Sequence, residues 1–171
     1  EKNHVFVIAE AGSNWKSGSY EEDLHRSKEL IRVAAEAGAN AVKFQVYRAD
    51  SVYAKNAGSS NYLSEQGIKD NINEIFKKHE MPYEMIREIY ELCKKENILF
   101  MSTPFSVDDA KQIDPFVEIH KIASYELNHV RLLEFTAKTN KPILISTGAS
   151  NYEEIDFAMN LIKRSEEHTS E

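Results

Sequence analysis

Val5-Phe6-Val7-Ile8-Ala9, Ser19-Tyr20-Glu21-Glu22 and Ala41-Val42-Lys43-Phe44-Gln45-Val46, taken in that order, decide the fold. The first run is apolar at every position rather than alternating, as in a parallel strand buried on both faces. Ser19 and Glu22 stand at capping-box spacing. Leu24, Ile31, Ala34 and Ala35 then form a helical stripe that Gly38 ends. The third run is a second strand. Strand, helix, strand is the unit of a parallel sheet with right-handed crossovers.

The same alternation continues outward. Residues 47–80 are less regular, with a short helix expected near 68–78, and so long an excursion after a strand is commonly functional. Pro82 opens a helix whose Ile86, Ile89, Tyr90 and Cys93 share one face. Ile98-Leu99-Phe100-Met101 reads as strand three, and Ser106 with Asp109 caps the next helix. Strand four is expected over 117–123, a helix over 131–138 and strand five over 142–145. Ser150-Asn151-Tyr152-Glu153 reads as another capping box, ahead of the stripe Ile155, Ala158, Met159 and Ile162. Five strands alternating with five helices leave two folds in competition, a doubly wound open sheet and a (β/α)₈ barrel. Glu10-Ala11-Gly12-Ser13-Asn14 holds a single glycine, which argues against a dinucleotide fingerprint.

Composition narrows the function classes. With 42% hydrophobic and 29% charged residues in 171, the chain is no low-complexity segment. A net charge of −7 is opposite to that of a non-specific nucleic-acid binder. No apolar run approaches a membrane span, and residues 1–4 lack signal-peptide shape. The lone Cys93 excludes an internal disulfide framework and fits a reducing compartment, so a cytoplasmic location is expected.

Polar residues gather where the strands end. Glu10 closes strand one, Lys43 and Gln45 share a face of strand two, and Ser102-Thr103 ends strand three. Lys121 lies in strand four, which runs into Ser124 and Glu126, and Ser146 follows strand five. In parallel α/β folds these ends line the ligand site. Lys43 and Lys121 read either as ammonium groups for a phosphate or carboxylate or as lysines snorkelling to the rim. The hydroxyls of Thr103, Ser124 and Ser146 read as donors to the same anion or as turn residues. Glu10 and Glu126 read as a general acid and base or as structural partners of the two lysines. His4, His25, His79, His120, His129 and His168 form no ligand motif, so no metal site is legible. His120 is expected on the face opposite Lys121, and Cys93 in the core.

Five stretches together resemble the sialic acid synthase family, which makes nonulosonic acids. They are Ile8-Ala9-Glu10-Ala11-Gly12-Ser13-Asn14, Val42-Lys43-Phe44-Gln45, Ser102-Thr103-Pro104-Phe105, His120-Lys121-Ile122-Ala123-Ser124-Tyr125-Glu126, and Lys141-Pro142-Ile143-Leu144-Ile145-Ser146-Thr147-Gly148. The resemblance implies a (β/α)₈ barrel, here truncated to about five βα units. It implies that Lys43, Thr103, Lys121, Ser124 and Ser146 hold phosphoenolpyruvate, that Gln45 contacts the N-acetyl hexose, and that Glu10 and Glu126 handle protons and substrate position. It also implies a divalent metal, manganese or magnesium, whose ligands lie on later strands absent from this chain, and a homodimeric parent. The Ala-Ser-Tyr-Glu after Lys121 looks like the pseudaminic and legionaminic acid branch. Residues 1–163 are then the N-terminal portion of the synthase barrel. Residues 164–171 resemble a translated sequencing adapter and are expected to be a non-native tail. The expected fragment is inactive alone. Two alternatives remain: a Schiff-base aldolase using Lys43 or Lys121, and a non-catalytic ligand-binding fragment.

Overall fold

The computed structural model describes residues 5–53, 58 and 71–167. Strands β1 (Ile8–Gly12), β2 (Ala41–Val46) and β3 (Leu99–Pro104) form one parallel sheet in the order β1-β2-β3. Strands β4 (His120–Ile122) and β5 (Ile143–Ile145) form a second parallel pair. β4 packs beside β3, so neighbours in sequence stay neighbours in space throughout. A doubly wound sheet reverses its strand order partway. No reversal occurs among the described strands, and the arrangement is α/β with a partial parallel sheet. The expected continuous sheet is interrupted between β3 and β4. β4 is three residues long where 117–123 is expected: residues 117–119, which follow the 3-10 turn Asp114–Phe116, are not in strand, and Ala123 leads into the next turn.

β1 lies three residues later than expected. Its partner begins at Ala41, in register with Ile8, so Val5 and Phe6 have no strand to pair with and stay exposed. The Val7 amide instead donates to Asn40 Oδ1 at 2.8 Å. Glu10 therefore sits inside the strand rather than after it.

Helix α1 (Tyr20–Glu36) has the capping box at Ser19 and Glu22, and Gly38 takes the left-handed conformation that ends it. α2 (Ala49–Val52) is a single turn, and α3 (Ile72–Lys78) is the expected helix in the excursion. The expected start of that helix, 68–70, lies outside the described residues, as do His4 and His168. α4 (Tyr83–Lys95) buries Ile86, Ile89 and Cys93. α5 (Val107–Ile113) is capped by Ser106, as expected. α6 (Val130–Lys138) and α7 (Tyr152–Glu167) pack together against β4 and β5.

The second capping box is displaced by one residue. Asn151, not Ser150, accepts from the Glu154 amide at 3.0 Å, and Glu154 returns the bond to the Asn151 amide at 2.8 Å. Ser150 donates to the Ser124 carbonyl, which removes it from the cap.

The apolar interior divides in two. Phe44, Phe100, Ile31, Met85 and Ile89 centre one core between the three-stranded sheet, α1 and α4. Ile122, Leu132, Leu133, Ala158 and Leu161 centre the other, between the two-stranded sheet, α6 and α7. α5 touches both, through Ile113 and Ala110 respectively.

Candidate functional site

The strand ends bring charges together across both sheets. β1 pairs Glu10 with Lys43, and its register then slips between Glu10 and Gly12. Such bulges re-aim side chains beside functional sites. Gly12 has φ +53°, and a Cβ there would stand 3.3 Å from Glu10 Oε1. The glycine thus supplies both the backbone angle and the space for the carboxylate. Glu10 pairs with the Lys43 ammonium; Lys43 is 12% exposed and Glu10 51%. Gln45 and Thr103 are register partners, so Thr103 lies on the Lys43 face, with its hydroxyl 3.5 Å from Lys43 Nζ.

On the other sheet, the buried Lys121 donates to Ser146 Oγ at 2.7 Å and to the Ile122 carbonyl. Burial pushes its ammonium down to about 8, and the nearby Lys43 charge pushes the same way. Glu10 and Glu126 oppose that shift, so the four charged groups act as one electrostatic cluster. Glu126 ends the 3-10 turn Ser124–Glu126. Burial raises its carboxyl to about 7, against the pull of its own backbone amide and Lys121. Its Oε2 has no hydrogen-bond partner among the described residues. Ser124 opens the same turn, and Gln45 accepts from Ser13 Oγ at 3.4 Å, next along the β2 face.

Two cations, two hydroxyls and a carboxyl poised near neutrality can hold a phosphate or carboxylate and move a proton beside it. His120 faces away, as strand alternation demands: it is fully buried, with Nε2 3.2 Å from Asp114 Oδ1. Cys93 is buried in the core, and burial pushes its thiol up to about 12.

Two supporting features were missed in sequence. Asp23 is buried and accepts from the Ser17 and Gly18 amides at 2.6 and 2.9 Å, which fixes the loop after β1. The Arg48 guanidinium lies 3.6 Å over the Tyr83 ring, and Tyr83 donates to the buried Asp109 at 2.9 Å. That stack ties Arg48, just after β2, to the start of α4 and the first turn of α5. Asp109 reads in sequence as a mere cap partner, and nothing local signals its second bond.

Comparison with known proteins adds to this geometry. The NeuB family matches residues 30–170. The chain is 36% identical over 162 residues to the spore coat polysaccharide biosynthesis protein SpsE of Bacillus subtilis, covering 93% of this chain and 41% of that protein. It is 35% identical over 156 residues to the pseudaminic acid synthase of Campylobacter jejuni, covering 88% and 43%. The crystal structure of an N-acetylneuraminic acid synthetase from Leptospira borgpetersenii, in complex with citrate, superposes with a TM-score of 0.79 at 32% identity, covering 95% of this chain and 51% of that one. The chain spans less than half the length of the two curated relatives. By the extent of the family match, this chain belongs to the NeuB family.

Proposed function

We propose that this chain is the phosphoenolpyruvate-binding portion of a truncated (β/α)₈-barrel synthase. The complete protein would join phosphoenolpyruvate to an N-acetylated hexose, giving a nonulosonic acid and phosphate. The observation that carries this reading is the convergence of Lys43 and Lys121, with the Thr103 and Ser146 hydroxyls, at the strand ends. The two ammonium groups bind the phosphate and carboxylate of phosphoenolpyruvate. Glu10, half exposed on Lys43, yields that contact to the incoming anion and becomes free to orient the second substrate. Gln45 contacts the hexose, and Ser124 extends the hydroxyl set. Glu126 gives or takes a proton at its Oε2, unpartnered among the described residues, where a carboxyl titrating at about 7 suits either direction. The methylene carbon of phosphoenolpyruvate bonds to the hexose aldehyde carbon, water adds to the neighbouring carbon, and phosphate leaves. A carbon–carbon bond and a bond from carbon to the water oxygen form, the carbon–oxygen bond to phosphate breaks, and the two protons of water end on the aldehyde oxygen and the departing phosphate.

The family resemblance implies a divalent metal, manganese or magnesium. The described residues do not fit one: they hold no group of three His, Cys, Asp or Glu side chains, and the mouth carboxylates stand beside two ammonium groups.

Residues 1–163 form the barrel portion in this reading, and residues 164–171 are a non-native tail. Continuous genomic DNA through those codons would overturn the latter. The complete protein is a homodimer, which sedimentation would test.

Titration calorimetry with phosphoenolpyruvate, with and without manganese, tests the binding role. The chain binds it, Lys43→Ala and Lys121→Ala weaken it, and the chain alone shows no turnover. Unchanged affinity in both variants would overturn the assignment. So would unchanged phosphate release by Lys121→Ala in the complete protein.

One observation favours a second reading. An amine titrating at about 8 is a competent nucleophile, so Lys121 suits a Schiff-base aldolase. Borohydride reduction with pyruvate separates the two, because only the aldolase retains a covalent adduct.

A further inference from the structure

The face of β4 opposite Lys121 holds a second set of polar groups, to which the synthase reading gives no task. His120 opens the strand and is fully buried. Its Nε2 lies 3.2 Å from Asp114 Oδ1, on the 3-10 turn ahead of the strand. Lys141, two residues before β5, reaches the same oxygen at 2.7 Å and also donates to the Asp114 carbonyl. One aspartate thus meets a side chain from the start of β4 and another from the approach to β5. The backbone continues the tie, with the His120 amide donating to the Pro142 carbonyl at 2.9 Å. At the other end of the same three-residue ladder, Lys121 donates to Ser146 Oγ, and the Ser146 amide donates to the Ile122 carbonyl at 3.0 Å. Side chains therefore close the ladder at both ends, and no residue separates His120 from Lys121.

The Asp114 carboxylate selects the tautomer of the ring: Nε2 donates, and Nδ1 is left as a bare acceptor. Nδ1 is buried and has no partner among the described residues. A proton placed there would be a donor with nothing to meet, which is costly to bury. Burial pushes the imidazole below its ordinary value of 6.5, Asp114 pulls it back up, and Lys141 pushes it down. Those two residues are the charges that act on it. On the adjoining elements, Asp108 pairs with Lys111 in solvent and Asp109 is taken up by Ser106 and Tyr83. Arg131, Glu134 and Lys138 lie along α6, Glu118 is exposed, and β3 brings no titratable side chain.

We propose that His120 is a positioning residue for Lys121: its buried bond to Asp114, shared with Lys141, fixes the far ends of β4 and β5 and so the spacing at which Lys121 meets Ser146. Protonated His120 cannot keep that place, because its second N–H must leave the apolar interior to find an acceptor. The start of β4 follows the ring, and the anion grip at the other end of the strand loosens. This rests on the synthase reading only through the anion-binding role of Lys121.

The test titrates the chain with sulfate by NMR, since sulfate keeps its charge between pH 5 and pH 7. His120→Gln retains a donor for Asp114 and cannot titrate. The affinity of this variant divided by that of the wild type is expected to be near one at pH 7 and to rise to about ten at pH 5. Glu10 and Glu126 are common to both proteins and cancel in that ratio. A plain field effect has the opposite sign, because an added positive charge on the wild type would strengthen sulfate binding and bring the ratio below one. A ratio that stays flat or falls would overturn the proposal. The wild type alone supplies a second measurement, independent of any variant's folding. The Ser146 amide signal, at the far end of the ladder from the ring, is expected to move with the His120 midpoint, below 6.5. A Ser146 signal that holds still through that midpoint would also overturn it. Failure of the wild type to bind sulfate at pH 7 counts against the anion role of Lys121 instead, and leaves the Ser146 signal to judge His120.

Discussion

Lys121 Nζ lies 2.7 Å from Ser146 Oγ, a side-chain bond between β4 and β5 made at the strand ends, where a ligand would arrive. The β4–β5 ladder is only three residues long, so this bond is a substantial part of what holds the two strands in line there.

Anion binding should therefore follow the Lys121 charge. Its ammonium, lowered to about 8, is protonated below that pH and neutral above it. Affinity for phosphoenolpyruvate is expected to hold between pH 6 and about 7, then fall as pH rises through about 8 and beyond. Lys121→Arg stays charged across this range and should flatten the profile. Calorimetry at several pH values checks this, and parallel profiles for the two proteins would refute it.

Glu126 should leave a signature in stability. Its carboxyl is raised to about 7, above its ordinary value of 4.5, so the folded state binds more protons than the unfolded state between these values. The stabilisation is fully present below about 4.5 and is lost as pH rises through about 7. Glu126→Gln removes the dependence. Urea midpoints are expected to show the variant gaining on the wild type from pH 5 to pH 8, and a constant difference would contradict the shift.

The Glu10–Lys43 pair should compete with anions. Glu10→Gln removes the competing charge, and inorganic phosphate should bind a few-fold more tightly, since a half-exposed pair is worth about 0–1 kcal/mol. The gain should shrink at high salt. Weaker phosphate binding by the variant would mean that Glu10 holds Lys43 in place rather than blocking it.

Helix α7 offers a direct check on its cap. Asn151→Ala should cost about 1 kcal/mol through loss of the bond to the Glu154 amide, and Ser150→Ala should cost less. Thermal melts of the two variants compare them, and the reverse order would reject the displaced box.

Alternation of the chain was legible because each helix carries its own stripe and each strand its own apolar run. β2, the α1 capping box and the Ser106 cap depend on residues within a few positions of each other. β1 was misplaced because its ends depend on where β2 begins, more than thirty residues away. The choice of Asn151 over Ser150 turned on a distant carbonyl, that of Ser124. Lys43 and Lys121 announced themselves as charges within apolar strands. Their electrostatic coupling exists only once β2, β3 and β4 are set side by side.

The two separate apolar cores have a mechanical consequence. Lys43 is carried on β2, whose Val42 and Phe44 lie in one core, and Lys121 on β4, whose Ile122 lies in the other, with α5 the element common to both. An anion gripped by both ammonium groups would act as a strut between two blocks that could otherwise breathe independently. Amide protons in β2 and β4 should then exchange at unrelated rates in the empty chain and converge toward a common rate once the strut is in place.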